Sequence, residues 1–173
     1  QSSRIGDFAL LDQNGEHHEL SWYGDQKAVV IFVQGNGCQI VRNSVPELRA
    51  IRDQYAERGV QFFMLNPQPQ DTRDSITVEA AELGYDFPIL IDETQLIAES
   101  LGVDRTSETF IINPETREVI YRGPIDDRLH YETQKSVAQN HYLRDALDAY
   151  LAGEAVPTDV PEAPGCLINF AAR

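Results

Sequence analysis

The chain has 173 residues, 42% of them hydrophobic, which is enough for one sizeable core and short for two. Its formal charge of -14, from 28 acidic against 14 basic residues, works against nucleic acid and anionic lipid as partners, because binding phosphate needs clustered Lys and Arg. The longest apolar run is the six residues Ala28–Val33, far short of the roughly 20 that cross a bilayer as a helix, so no membrane insertion is expected.

The chain opens on Gln1, which fits a processed or trimmed N-terminus. A removed secretory signal is one cause and implies an extracytoplasmic location, periplasmic or secreted; trimming looks the same and leaves the cytoplasm open. Residues 8–12, the Asn14-Gly15 turn and residues 18–20 predict an N-terminal hairpin. Ala28–Val33 is β-branched and unbroken by polar residues, the pattern of a central strand buried on both faces. After the small-residue loop 34–37, Val41, Val45, Leu48, Ile51 and Tyr55 recur at helical spacing until Gly59. Residues 60–65 predict the next strand. A proline-containing loop and a helix over 71–83 follow, capped by Asp71 and ended by Gly84.

Residues 87–91 predict a strand and 94–101 a short helix. Residues 108–112 and 119–122 predict a hairpin across Asn113-Pro-Glu-Thr. A last helix carries Tyr142, Leu143, Ala146, Leu147 and Tyr150, and a tail spaced by Pro157, Pro161 and Pro164 ends the chain. The expected fold is an α/β three-layer sandwich around a central mixed sheet, occupying residues 1–153, with 154–173 as an extended tail. In such sheets chemistry sits beyond the carboxyl ends of the parallel strands, where Cys38 falls.

A cysteine at a helix N-terminus faces unpaired N–H groups and the positive end of the helix dipole, both of which favour the nucleophilic thiolate. Arg42, one turn on, adds a positive charge if its side chain turns back. The competing reading is a buried, inert structural thiol. Two cysteines make neither a disulfide scaffold nor a four-ligand zinc site, and His17 and His18, adjacent on a strand, point to opposite faces. Asp126, Asp127 and Arg128 read as a solvated turn with a helix cap, and Tyr131, Tyr142 and Tyr150 as core and interface aromatics.

The segment 29–48, with Cys38 after a buried strand and Pro46 eight residues later, resembles the redoxin branch of thioredoxin-like proteins, which includes peroxiredoxins and thiol-disulfide thioredoxins. The resemblance extends to residues 102–113 and 121–127 and implies a thioredoxin-like fold with Cys38 as its reactive thiol. Three family features are missing. Val41 stands where thioredoxins carry a second cysteine, Gly35 and Ile31 replace the Thr and Pro of peroxiredoxins, and Ser107 replaces the cis-proline that faces the cysteine.

Cys166 is then the only partner thiol in the chain, and the expected site is Cys38, Cys166 and Arg42. The expected function is thiol-based redox chemistry, an antioxidant or oxidoreductase role, on a protein thiol or disulfide partner or a peroxide, without a cofactor. The alternatives are a thioredoxin-like module that has lost turnover and accompanies a larger redox enzyme, or copper binding through Cys38, Cys166 and His130 or His141. Thioredoxin-like copper chaperones use a CxxxC pair, and Arg42 occupies its second position here.

Overall fold

The structure, a computed structural model, describes residues 3–129 and 134–172. His130 and Tyr131 lie outside the described residues. An antiparallel hairpin of β1 (Ala9–Leu11) and β2 (His17–Glu19) opens the chain. The main sheet follows from β3 (Ala28–Val33), β4 (Val60–Asn66), β5 (Ile89–Ile91), β6 (Thr109–Ile112) and β7 (Val119–Gly123), in the order β5-β4-β3-β6-β7. β3, β4 and β5 are parallel, and β6 and β7 run antiparallel to their neighbours, so the sheet is mixed as expected.

All six residues of β3 are fully buried, and its alternation divides the core into two layers. Ala28, Val30 and Phe32 face a layer built with Val41, Val45, Leu48 and Ile51 of α1 (Gln39–Tyr55), Ile76 of α2 (Arg73–Leu83) and Leu143 and Leu147 of α4 (Tyr142–Leu151). Tyr142 and Tyr150 pack against its margin. Val29, Ile31 and Val33 face Phe8, Leu20, Phe63, Leu65, Leu101 of α3 (Leu96–Leu101) and Ile168 of the tail. This is an α/β sandwich of three layers.

Several boundaries differ from expectation for local reasons. Helix α2 begins at Arg73 rather than residue 71, because Thr72 forms a reciprocal capping box with Ser75. The Asp71 carboxylate instead accepts from the Asn36 amide N–H at 2.9 Å and from Asn66 Nδ2 at 3.0 Å, tying the loop after β3 to that after β4. Helix α3 begins at Leu96, after Gln95 in a left-handed conformation (φ 64°). Pro46 lies inside α1, which continues through it.

His17 and His18 part as expected: His17 pairs with Glu19, while His18 Nε2 meets Asp12 Oδ2 at 2.8 Å. Asp127 accepts from the backbone N–H groups of Gln139 and Asn140, and these bonds hold its acid form well below the usual carboxylate range. It braces a turn two residues before α4, whose cap position is His141.

The tail has no helix or long strand, yet it packs. Ala163 and Ile168 are buried, and Leu167 forms an antiparallel bridge with Arg105 beside the carboxyl edge of the parallel strands.

Candidate active site

At the end of β3 the chain turns through Gly35, Asn36 and Gly37, and Gly37 adopts φ 74°, a left-handed value that glycine takes without penalty. The Gly37 N–H donates to both oxygens of the Glu79 carboxylate on α2, at 3.0 and 3.2 Å. These bonds fix the approach to α1. Cys38 then takes an extended backbone (φ -82°, ψ 116°) at the cap position of α1, with no side-chain capping bond of its own. Its side chain is buried, at 7% exposure.

The tail reaches the same point from the other side. The Thr106 N–H donates to the Cys166 carbonyl at 2.8 Å, and the Cys166 N–H donates to Thr106 Oγ1 at 2.9 Å. Gly165 admits this approach only because it lacks a side chain: a Cβ there would stand 1.9 Å from the Thr106 carbonyl oxygen. Cys166 Sγ thereby lies 3.1 Å from Cys38 Sγ, and both are free thiols. A disulfide needs about 2.05 Å, so the sulfurs bond after an approach of about 1 Å.

Thr106 Oγ1 is 3.2 Å from Cys38 Sγ. Since the hydroxyl oxygen already accepts from the Cys166 N–H, its proton is available to the Cys38 sulfur. Burial alone pushes the Cys38 thiol up. Hydrogen bonds from Thr106 and Cys166, with backbone N–H groups of Val41 and Cys166, outweigh it and bring Cys38 below its ordinary value. Burial, the bond donated to Cys38 and the negative charge there push Cys166 the opposite way, up to about 11. The two sulfurs are thus an anion-leaning acceptor and a thiol donor.

Arg42, exposed, does not join them. It lines a groove of about 600 Å³ with Asn43, Glu47, Asp126, Arg128 and His141, and none of the described hydrogen bonds joins its side chain to Cys38. Among the described residues no third group with metal-ligating character gathers at the sulfur pair; the one cluster of the kind is Asp12, Glu16 and His18 on the N-terminal hairpin. Ser107 keeps a left-handed backbone (φ 66°), and its N–H donates to the Val33 carbonyl at 2.8 Å. Its hydroxyl is buried without a partner among the described residues.

Residues 2–121 match the model of the AhpC/TSA family, well over half of the chain. The chain belongs to the AhpC/TSA family. It is similar to the thiol-disulfide oxidoreductase ResA of Geobacillus kaustophilus (strain HTA426), at 28% identity over 120 residues, 68% of this chain and 67% of that protein. ResA of Bacillus subtilis (strain 168) is 25% identical over 121 residues, 69% of this chain and 65% of that protein. The chain therefore spans about two-thirds of the length of these relatives.

Among solved structures, a hypothetical protein of Sinorhizobium meliloti 1021 superposes with a TM-score of 0.86 at 28% identity, covering 99% of this chain and 95% of the other. A DsbE-type thiol:disulfide interchange protein of Chlorobium tepidum, at 18% identity, shares the fold with a TM-score of 0.69 over 87% of this chain and 97% of its own. The fold is thioredoxin-like, and the sequence is similar to thiol-disulfide oxidoreductases. No helix among the described residues is long and apolar enough to cross a membrane.

Sequence reasoning picked out both cysteines but passed over Thr106, whose hydroxyl touches both. Its signal was present: Thr106 directly precedes Ser107, the position aligned with the family's cis-proline facing the cysteine.

Proposed function

We propose that the protein exchanges thiols and disulfides with a protein partner, using Cys38 as nucleophile and Cys166 as the resolving thiol. The carrying observation is the 3.1 Å contact between two sulfurs whose acidities are displaced in opposite directions. Cys38 thiolate attacks one sulfur of the partner's disulfide, forming a mixed disulfide and releasing the other sulfur as a thiolate. Cys166 then loses its proton to solvent or to the released thiolate and attacks Cys38 Sγ, expelling the partner's remaining thiolate. Two electrons pass from the Cys38–Cys166 pair to the partner, and the reverse sequence oxidises a partner dithiol. Gly35 and Ile31, in place of the peroxiredoxin Thr and Pro, favour a disulfide over a hydroperoxide as the oxidant.

The site needs no cofactor for this chemistry. An extracytoplasmic, oxidising compartment suits it, because partner disulfides form and persist there. The test is thiol counting by alkylation and intact mass on the reduced chain, after a small disulfide and after hydrogen peroxide. Two alkylated thiols before oxidation and none after the disulfide, with loss of two hydrogens, is the expected result. A Cys38 left unmodified in all three conditions would sink the enzyme reading and leave a non-catalytic binding module.

A further inference from the structure

The tail from Cys166 to Ala171 is bound along both of its edges by hydrogen bonds to its main chain. On one edge stand residues 104–106: the Thr106 N–H donates to the Cys166 carbonyl, and the Ile168 N–H donates to the Asp104 carbonyl at 2.9 Å. On the other stand two buried glutamines. Gln68 donates through Nε2 to the Leu167 carbonyl at 3.2 Å and accepts at Oε1 from the Asn169 N–H at 2.9 Å. Gln95 donates through Nε2 to the Asn169 carbonyl and accepts at Oε1 from the Ala171 N–H, both at 2.9 Å.

A primary amide offers one acceptor and donors in a plane, much as a peptide group does, so each glutamine acts as a short piece of strand edge. Residues 166 and 168 bond to one side and 167, 169 and 171 to the other, the period of an extended strand. A slip of one residue would turn Cys166 away from Cys38 and bring Ile168, buried in the second core layer, out of it. Gln95 holds this place in a left-handed conformation, which is strained for a non-glycine residue. It is 2% exposed and makes a further bond to the Pro67 carbonyl.

We propose that Gln68 and Gln95 are positioning residues of the thiol–disulfide step, which clamp the tail's backbone so that Cys166 is presented to Cys38 in one register. The inference rests on the exchange reading above. It concerns the second attack: Cys166 thiolate on Cys38 Sγ, forming the internal disulfide and expelling the partner's thiolate. The clamp sets the effective concentration of Cys166 at that sulfur. The first attack, by Cys38, does not pass through the glutamines.

The test uses the full chain with Gln68→Met, Gln95→Met and the double variant, which keep side-chain length and the backbone conformation while removing the bonds to the tail. The equilibrium constant for closing Cys38–Cys166 is read in a glutathione redox buffer. The loss of two net hydrogen bonds to the tail should lower it about 5- to 150-fold in each single variant, with a larger fall in the double variant. In parallel, amide-exchange protection in β3 and α1, which carry Cys38, should stay unchanged. A closing constant unchanged in the single and double variants overturns the clamp while leaving the cysteine chemistry intact. Loss of protection in β3 and α1 in step with the closing constant also overturns it, since general loosening would move both. Absence of any internal disulfide in the unsubstituted chain instead overturns the exchange reading.

Discussion

Cys38 and Cys166 meet at one point, but the fold delivers them by different means. Cys38 is carried by the strongest regular structure in the molecule, at the junction of the fully buried β3 and the 17-residue α1. Cys166 is carried by a segment without helix or ladder, held through Thr106, Asp104, Gln68 and Gln95 and by the buried Ile168. Local propensity and layer packing specify the first position, and long-range side-chain bonds to backbone specify the second. The cysteine corner should therefore fail only with the whole domain, whereas the tail should lift on its own.

The largest expected effect tests that division. Phe32→Ala empties a fully buried site in β3 and should cost about 3–5 kcal/mol, read as a lowered midpoint in a single global urea transition. Ile168→Ala removes the tail's main apolar anchor, at a nominal cost of about 2–5 kcal/mol for a buried site. Its effect should appear first as loss of amide-exchange protection at residues 166–171, with β3 protection retained. Equal loss of protection in β3 and the tail would show that the two regions unfold as one unit and that the division is false.

That difference also governs how far the molecule could be read from its sequence. The bounds of β3 and the Gly59 and Gly84 stops were legible because hydrophobic period and glycine conformation are local signals. The cap of α2 was misplaced by one residue because Asp71 and Thr72 are both good caps. The choice went to Thr72 once Asp71 was engaged by Asn66, at the end of β4, and by Asn36, 35 residues away in sequence. Cys38 was legible as a helix-start thiol. Cys166 was legible only by elimination, and its separation of 128 residues from Cys38 leaves no local trace of the contact. Gln68 reads as a polar residue of the proline-containing loop and Gln95 as part of the helix expected over 94–101, since nothing in sequence marks an amide that will pair with a distant backbone.

Thr106→Val is a smaller perturbation aimed at the point where the two regions touch. The variant keeps the shape but removes the proton given to Cys38 and the acceptor for the Cys166 N–H. A hydrogen bond to a charged group contributes about 1.5–3 kcal/mol, so the midpoint of the Cys38 alkylation-rate profile should rise by about one to two pH units. An unmoved midpoint would assign the thiolate preference to the helix end instead.

The titration of the reduced pair sharpens the same comparison through stability. The folded Cys38 value lies below 9.0, so its stabilising share is complete above that ordinary value and is lost as pH falls through the folded one. The folded Cys166 value is raised to about 11, so its share is complete below 9.0 and is lost as pH rises toward 11. The difference in urea midpoint between the reduced chain and its Cys38→Ser/Cys166→Ser variant should accordingly be greatest near pH 9 and shrink on both sides. A difference that rises steadily through pH 11 would mean that Cys166 is not held as a thiol by its neighbour.

Arg42→Ala carries the smallest expected change. A cation one turn from a thiolate lowers its acidity value only if the two share a poorly screened environment. Arg42 is exposed in the groove with Glu47 and Asp126, whereas the Cys38 sulfur is covered by Thr106 and the tail. The alkylation midpoint of Cys38 should therefore move by no more than about 0.3 unit at physiological ionic strength, where exposed charges are screened over about 8 Å. A rise as large as that from Thr106→Val would place the guanidinium among the groups that hold the thiolate. It would make α1 alone, without the tail, sufficient to activate Cys38.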